Sequence, residues 1–446
     1  MKKTDLLYGI MIAVLYGACT SFPVKPPDDT IPSEVEIPAE PELPEITETP
    51  RIPDATTVPG ISELPEIADT PEISETPRIP DTAPVPGISE TPHILDTAET
   101  PELLITFAGD IMAHDVNFKM KDYNMIYDEL RGLLTSDNLT FGNLEAPVAS
   151  SRPYETYPTF NIHGPYAQAA IDGGFDVFSL ANNHTNDQGA RGIQETYQWF
   201  SEKRKSGVYS AGIKNQANGP LTYEVIETNT WTILFAAVTE ILNASTAKEF
   251  IDYIPPEQAY RTNFIATIRA LRAAHPCDVF ILGVHIYEDE YKDYISDRRK
   301  QFFHALLDAG VDIVWASHPH VMQEWEQIDT KNALINERIT NKFIMYSMGN
   351  FISGQRYRID KAHPEAPREY TGDSILMQLR LAKVQGHVYI KEIIPVLITN
   401  YVDIYGNIVV KFFTKQFIER QNTEIAAYYS KRMELMQKYQ GITTVK

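Results

Sequence analysis

The chain has 446 residues and a formal net charge of −21, with 30 prolines, 11 histidines and 2 cysteines. Residues 20–100 hold 17 of the prolines, 18 acidic and 3 basic residues, and no aromatic ring after Phe22. That composition excludes a packed core there. The remainder, near −7, excludes a nucleic-acid face, which needs clustered Lys and Arg.

At the N-terminus Lys2 and Lys3 precede an apolar stretch from Leu6 to Leu15, followed by Gly17-Ala18-Cys19. A basic start, a short apolar run and small residues before a cleavage point describe a secretory signal over residues 1–19. The run is too short to span a bilayer. Gly-Ala-Cys resembles a bacterial lipobox, in which Cys19 is acylated. Leu15 lies one position further from the cysteine than usual. An ordinary cleaved signal or an uncleaved anchor are the alternatives. The lipobox reading places the protein outside the cytoplasm, as a membrane-anchored lipoprotein of the cell envelope, periplasmic or at the outer surface.

Residues 20–100 contain a repeat: Pro44–Thr70 recurs from Pro71, 27 positions on. A solenoid needs large residues to stack, and none is present. Spaced prolines and like charges predict a disordered, extended Pro/Glu-rich stalk instead.

From residue 101 the chain is aromatic-rich and globular in character. Six short apolar runs each end on polar groups. Leu103–Ala108 ends at Gly109-Asp110, Leu139–Gly142 at Asn143-Leu144-Glu145, and Phe175–Ala181 at Asn182-Asn183-His184. Asp278–Val284 ends at His285, Val311–Ala316 at Ser317-His318-Pro319-His320, and Lys342–Tyr346 at Ser347-Met348-Gly349-Asn350. Runs without strict alternation are expected of strands covered on both faces in an α/β fold. Helices are predicted between them, over Arg191–Lys205, Pro256–Ala274 and Asp297–Ala309. Alternation in Ser374–Leu381 and His387–Ile398 predicts antiparallel strands completing a second sheet, and residues 401–446 a C-terminal strand and helix packed on the domain. Cys277 opens an apolar run and reads as a buried strand thiol.

In open α/β sheets, sites form beyond the carboxyl ends of strands. Asp110, Glu145, Asn183, His184, His285, His318 and His320 are all delivered there. Carboxylate, amide and imidazole together suit Mn, Fe or Zn. Seven candidates exceed the needs of one ion, so two divalent ions sharing a carboxylate are the natural accommodation. Any one of these histidines has a structural role as its alternative.

Gly-Asp-Ile-Met (109–112), Asn-Leu-Glu (143–145), Ala-Asn-Asn-His (181–184) with Asp187 and Gly189, Ser-His-Pro-His (317–320) and Ser-Met-Gly-Asn-Phe (347–351) resemble the CapA/poly-γ-glutamate capsule-synthesis family. That family is similar to calcineurin-type metallophosphoesterases. The resemblance implies two mixed β-sheets packed between helices, a four-layer sandwich, over residues 101–400. It also implies Asp110, Asn183, His285, His318 and His320 as metal ligands, with Glu145 where a bridging aspartate is common. By analogy His184 protonates a leaving group. The usual Asp-x-His start is here Asp110-Ile-Met112, and His114 is left as a ligand, an acid behind the ligands, or a residue outside the site. Ser317 stands where glycine is usual.

Two functions compete, with a pure surface adhesin, prompted only by the stalk, as a weaker third. One is a metal-dependent hydrolase or transferase acting on a phosphoester or amide of an anionic envelope polymer of the capsule or poly-γ-glutamate type. The other is a non-catalytic subunit of a capsule assembly or export complex, with membrane-bound synthesis subunits as partners. No Gly-x-x-x-x-Gly-Lys-[Ser/Thr] phosphate loop occurs. Arg152, Arg191, Arg356 and Arg358 are candidate anion clamps, with surface solvation as the simpler role.

Overall fold

A computed structural model describes residues 102–332, 337–384, 386–439 and 441–445. The signal, Cys19 and the 27-residue repeats lie outside the described residues. Among the described residues no helix is long and apolar enough to cross a membrane.

Among the described residues, fifteen strands form two mixed sheets. The first contains β1 (Leu103–Ile111), β2 (Leu139–Leu144), β3 (Val177–Ser179), β4 (Tyr209–Ala211), β11 (Asn350–Ile352), β12 (Asp373–Val384), β13 (His387–Val402) and β14 (Ile408–Phe412). Its order is β14-β13-β12-β1-β2-β3-β4, with β11 also paired to β1. The second contains β5 (Tyr223–Thr228), β6 (Trp231–Thr239), β7 (Val279–His285), β8 (Ile313–Ser317), β9 (Trp325–Asn332), β10 (Glu337–Met345) and β15 (Gly441–Val445). Its order is β15-β9-β10-β8-β7-β6-β5. The six ligand-bearing runs are all strands: β1, β2, β3, β7, β8 and β10.

The sheets pack face to face. Phe107 and Phe141 of the first meet Phe235 and Trp315 of the second, with ring centres 5.4–6.1 Å apart. The Trp315 Nε1–H donates to the Ala108 carbonyl at 2.9 Å, so its one polar atom is satisfied within the core. Successive residues of β6 point to opposite faces. Ile233, Phe235 and Ala237 enter the layer between the sheets. Leu234, Ala236 and Val238 enter a second core beneath the helices Gln258–Ala274 and Asp297–Asp308. Burial on both faces is why these strands read as continuous apolar runs. Each such side chain contributes about 1.5–3 kcal/mol.

The helix Asp297–Asp308 starts where the Ser296 hydroxyl caps the Arg299 N–H, and it buries Phe302, Phe303, Leu306 and Leu307. The helix Gly189–Lys203 buries Ile193, Thr196 and Phe200, one face at helical spacing.

Two expectations need correcting. The strands β12 and β13 are antiparallel, but they extend the sheet of β1, with Leu103 opposite Leu381. The second sheet is built from β5–β10 and β15 instead. Alternation reveals that a face is buried, not which edge a strand joins. Cys277 lies two residues before β7 and is half-buried, its sulfur beside the Arg272 guanidinium. Burial pushes its thiol pKa up.

Candidate metal centre

Gly109 sets the first ligand. A Cβ there would lie 1.7 Å from the Gly349 carbonyl, and its absence lets the Asp110 N–H reach that carbonyl at 3.1 Å. β11 runs parallel to β1, with Asn350 opposite Asp110. On the other side Asn143 of β2 donates to Asp110 Oδ1 at 2.8 Å and to Glu145 Oε2 at 3.1 Å. Glu145 is fully buried and its Oε1 has no hydrogen-bond partner. That oxygen lies 3.6 Å from His320 Nε2 and 4.0 Å from His285 Nε2.

The second sheet supplies the imidazoles. His285, at the end of β7, has Nδ1 2.8 Å from the Ser317 hydroxyl and Nε2 2.9 Å from Asn183 Oδ1. His318 Nδ1 is 3.2 Å from the same Nε2. His320 Nδ1 is 3.1 Å from Asp110 Oδ2 and 3.0 Å from Asn350 Oδ1. His318 and His320 hold φ of 105° and 58°, conformations that non-glycine residues rarely adopt. Strain of this kind persists where the surrounding structure over-determines it, and it clusters at functional sites.

Electrostatics divide the histidines. Burial, with His318 and His320 nearby, holds His285 well below the ordinary imidazole value. Burial pushes His318 down to about 3. For His320 burial acts in the same direction, but Glu145, Asp110 and Glu290 outweigh it and raise the ring to about 9. Burial and the Asp110 charge hold Glu145 well above the usual carboxylate range.

The donor set fits divalent metal. Adjacent donors on one ion with bonds of ~2.1 Å stand about 3 Å apart. The separations of 2.9 Å and 3.2 Å linking Asn183 Oδ1, His285 Nε2 and His318 Nδ1 are of that size. The buried Glu145 Oε1 has no protein donor to satisfy it, and a cation would. Among the described residues two carboxylate–histidine groups are present, Asp110–Glu145–His285 and Glu290–His318–His320.

The fold thus brings together Asp110, Glu145, Asn183, His285, His318 and His320. His184 lies beside them: its Nδ1 is 2.6 Å from Asp187 Oδ2 and its ring packs edge-on to Phe160. Asn243 links this pair to the cluster, its Nδ2 3.3 Å from His184 Nδ1 and its Oδ1 accepting from Asn183 Nδ2 at 3.3 Å. His114 is not in the ligand groups. Its Nδ1 accepts from the Gly354 N–H at 3.1 Å, and burial, with His320 and His184, lowers it to about 4. It is therefore neutral near pH 7.

Arg356 is neither clamp nor surface residue. It is buried and donates to Asp373 Oδ1 at 2.6 Å. Arg191 pairs with Glu195 at 3.0 Å, and Arg152 reaches Gln188 at 3.4 Å. Sequence reasoning passed over Asn143, Asn243, Glu290 and Asn350. Asn143 lies at the end of β2 and Asn350 opens β11, both within the quoted motifs, so they had a signal. Asn243 and Glu290 lie in loops without one.

Two mixed sheets whose strand ends deliver carboxylates, amides and imidazoles to one buried cluster define an α/β protein with a candidate metal centre. The chain belongs to the bacterial capsule synthesis protein PGA_cap family, whose model matches residues 104–355. It is 27% identical over 290 residues to the PGA biosynthesis protein CapA of Bacillus subtilis (strain 168), covering 63% of this chain and 68% of that one. It is 26% identical over 269 residues to the capsule biosynthesis protein CapA of Bacillus anthracis, covering 57% of this chain and 60% of that one. Among solved structures, the calcineurin-like phosphoesterase YfkN from Bacillus subtilis matches 76% of this chain and 99% of its own at 10% identity and a TM-score of 0.38.

Proposed function

We propose that the protein is a metal-dependent hydrolase or transferase of an anionic envelope polymer of the capsule or poly-γ-glutamate type, acting on a phosphoester or amide bond. The observation that carries this reading is the buried, unpartnered Oε1 of Glu145, facing His320 Nε2 and His285 Nε2. Asp110, Glu145 and His320 would hold one divalent ion, and Asn183, His285 and His318 a second, with Glu145 between them. When bound, such ions supply an activated water and stabilise charge on the attacked group.

The chain's own residues do the rest. Asp187 holds His184 Nδ1, which leaves Nε2 to give a proton to the leaving group. Phe160, packed edge-on to that ring, limits water there. The polymer class comes from the relatives' names, and the bond type from the site's chemistry. We place the protein at the cell envelope, exported and anchored through lipidated Cys19, with residues 20–100 as spacer and membrane-bound synthesis subunits as partners.

Metal analysis of the purified chain, with a panel of phosphoester and γ-glutamyl substrates, tests the reading. Bound metal with turnover supports it. Bound metal without turnover on any substrate favours a binding subunit. Cys19→Ser should abolish partitioning into detergent, and unchanged partitioning removes the anchor.

A further inference from the structure

The Ser-Met-Gly-Asn-Phe segment is part of the family resemblance, yet the proposed chemistry gives it no role. Its asparagine is the most constrained amide in the site. Asn350 Nδ2 faces three acceptors: Gln355 Oε1 at 2.7 Å, the Thr371 carbonyl at 3.0 Å and Ser353 Oγ at 3.1 Å. Only a donor suits that position, so the amide orientation follows from the network. Its Oδ1 must then face His320 Nδ1, 3.0 Å away.

We propose that Asn350 is a positioning residue for the metal centre: its side-chain carbonyl accepts the Nδ1–H of His320 and turns the Nε2 of that ring toward Glu145 Oε1. This rests on the cluster being a metal centre, as proposed above. An amide oxygen can only accept, so it selects the tautomer in which Nδ1 carries the proton and Nε2 is the free donor to a cation. The same ring nitrogen lies 3.1 Å from Asp110 Oδ2. With Asn350 holding the proton, Asp110 is not needed to orient His320, and its Oδ2 is released for an ion. The Nε2–Oε1 separation of 3.6 Å is longer than a hydrogen bond. The arrangement is an amide–histidine–metal relay of the kind that fixes ring orientation in metal sites.

The bland reading is that Asn350 only ties residues 353–371 to β11. Two variants of the full chain separate the readings. Asn350→Asp and Asn350→Leu both forfeit the three Nδ2 bonds, but only aspartate keeps an acceptor for His320. Binding of Zn2+ to chelator-stripped protein is measured by calorimetry, and metal content by mass spectrometry. N350L should lose about 10–100-fold in affinity for one ion, and N350D should stay near wild type. Both should lower the melting temperature in chelator, and aspartate at least as much as leucine, because its second oxygen faces the same acceptors. Equal affinity losses in the two variants, or none in either, overturn the proposal. Should N350L fail to fold, nitrogen-15 histidine spectra of the Zn2+-loaded wild type decide. A His320 resonance protonated at Nδ1 supports the proposal, and one metallated at Nδ1 overturns it. If the wild type binds no metal, the metal-centre reading itself falls and this inference with it, a result distinct from failure of the variants alone.

Discussion

The Ser317 hydroxyl lies 2.8 Å from His285 Nδ1 and thereby decides that Nε2 of that ring faces Asn183 and His318. The serine that stands in place of the usual glycine has acquired a partner. Ser317→Gly should reduce affinity for the ion held by Asn183, His285 and His318 by about 10–100-fold. Metal titration of the stripped protein measures this, and unchanged affinity would show that burial alone orients the ring.

His184 and His318 sit close together in the fold but should behave differently. His318→Ala should lose at least one ion. His184→Ala should keep its metal and reduce any turnover by roughly 10²–10⁴-fold, the usual range for a general acid. Asp187→Asn should fall in the same direction by disturbing the tautomer. Should His184→Ala strip metal as thoroughly as His318→Ala, His184 is a ligand and the role assigned to it is wrong.

In the metal-free protein the histidines should contribute a dome to the pH dependence of stability that peaks near pH 6.5, while the buried Glu145 carboxyl, held above its usual range, contributes stability that is lost as pH rises. His318 and His114 are depressed to about 3 and about 4, so the unfolded chain binds more protons than the folded one below 6.5, and stability falls as pH drops. His320 has the opposite sign. Its contribution is fully present below 6.5 and is lost as pH rises through about 9. Melting curves in chelator from pH 4 to 10 should trace this dome. Added metal should displace the His320 proton and remove the alkaline fall.

Two residues beyond the Thr371 carbonyl that accepts from Asn350, Asp373 accepts from Arg356 Nη1 at 2.6 Å and from Arg432 Nε at 2.7 Å, all three side chains fully buried. Asp373→Asn leaves two buried guanidinium groups facing a neutral amide and should cost about 3–5 kcal/mol. Arg432→Met leaves the Arg356 pair intact and should cost distinctly less. Denaturant unfolding of the two variants checks the order.

How far the sequence carried this account differs by residue. The six ligand-bearing strands were legible because each is short, apolar and ended by a polar group. Asp110 and His318 were legible for the same reason. Arg356 was not, since its burial depends on Asp373 and on Arg432 of the C-terminal helix Thr423–Met436, partners that no local pattern announces. β6 was missed although its apolar run also ends on a carboxylate, Glu240, which pairs with the buried Arg261 at 2.6 Å instead of joining the cluster. Glu290 lies in a loop whose acids look like ordinary solvated charge until the fold sets it beside His318 and His320.

The place of β1 in the first sheet has a bearing on biosynthesis. Every proposed ligand has been synthesised once His320 leaves the ribosome. Asn350, which faces His320, comes later, and so does β12, the neighbour of β1 on the side opposite β2. Arg432, which grips β12 through Asp373, is made later still. A nascent chain folding from its N-terminus therefore carries the donors well before the cage that orders them. The topology defers tight metal capture until these later residues are made, and truncation after residue 350 should yield a chain that binds ions only loosely.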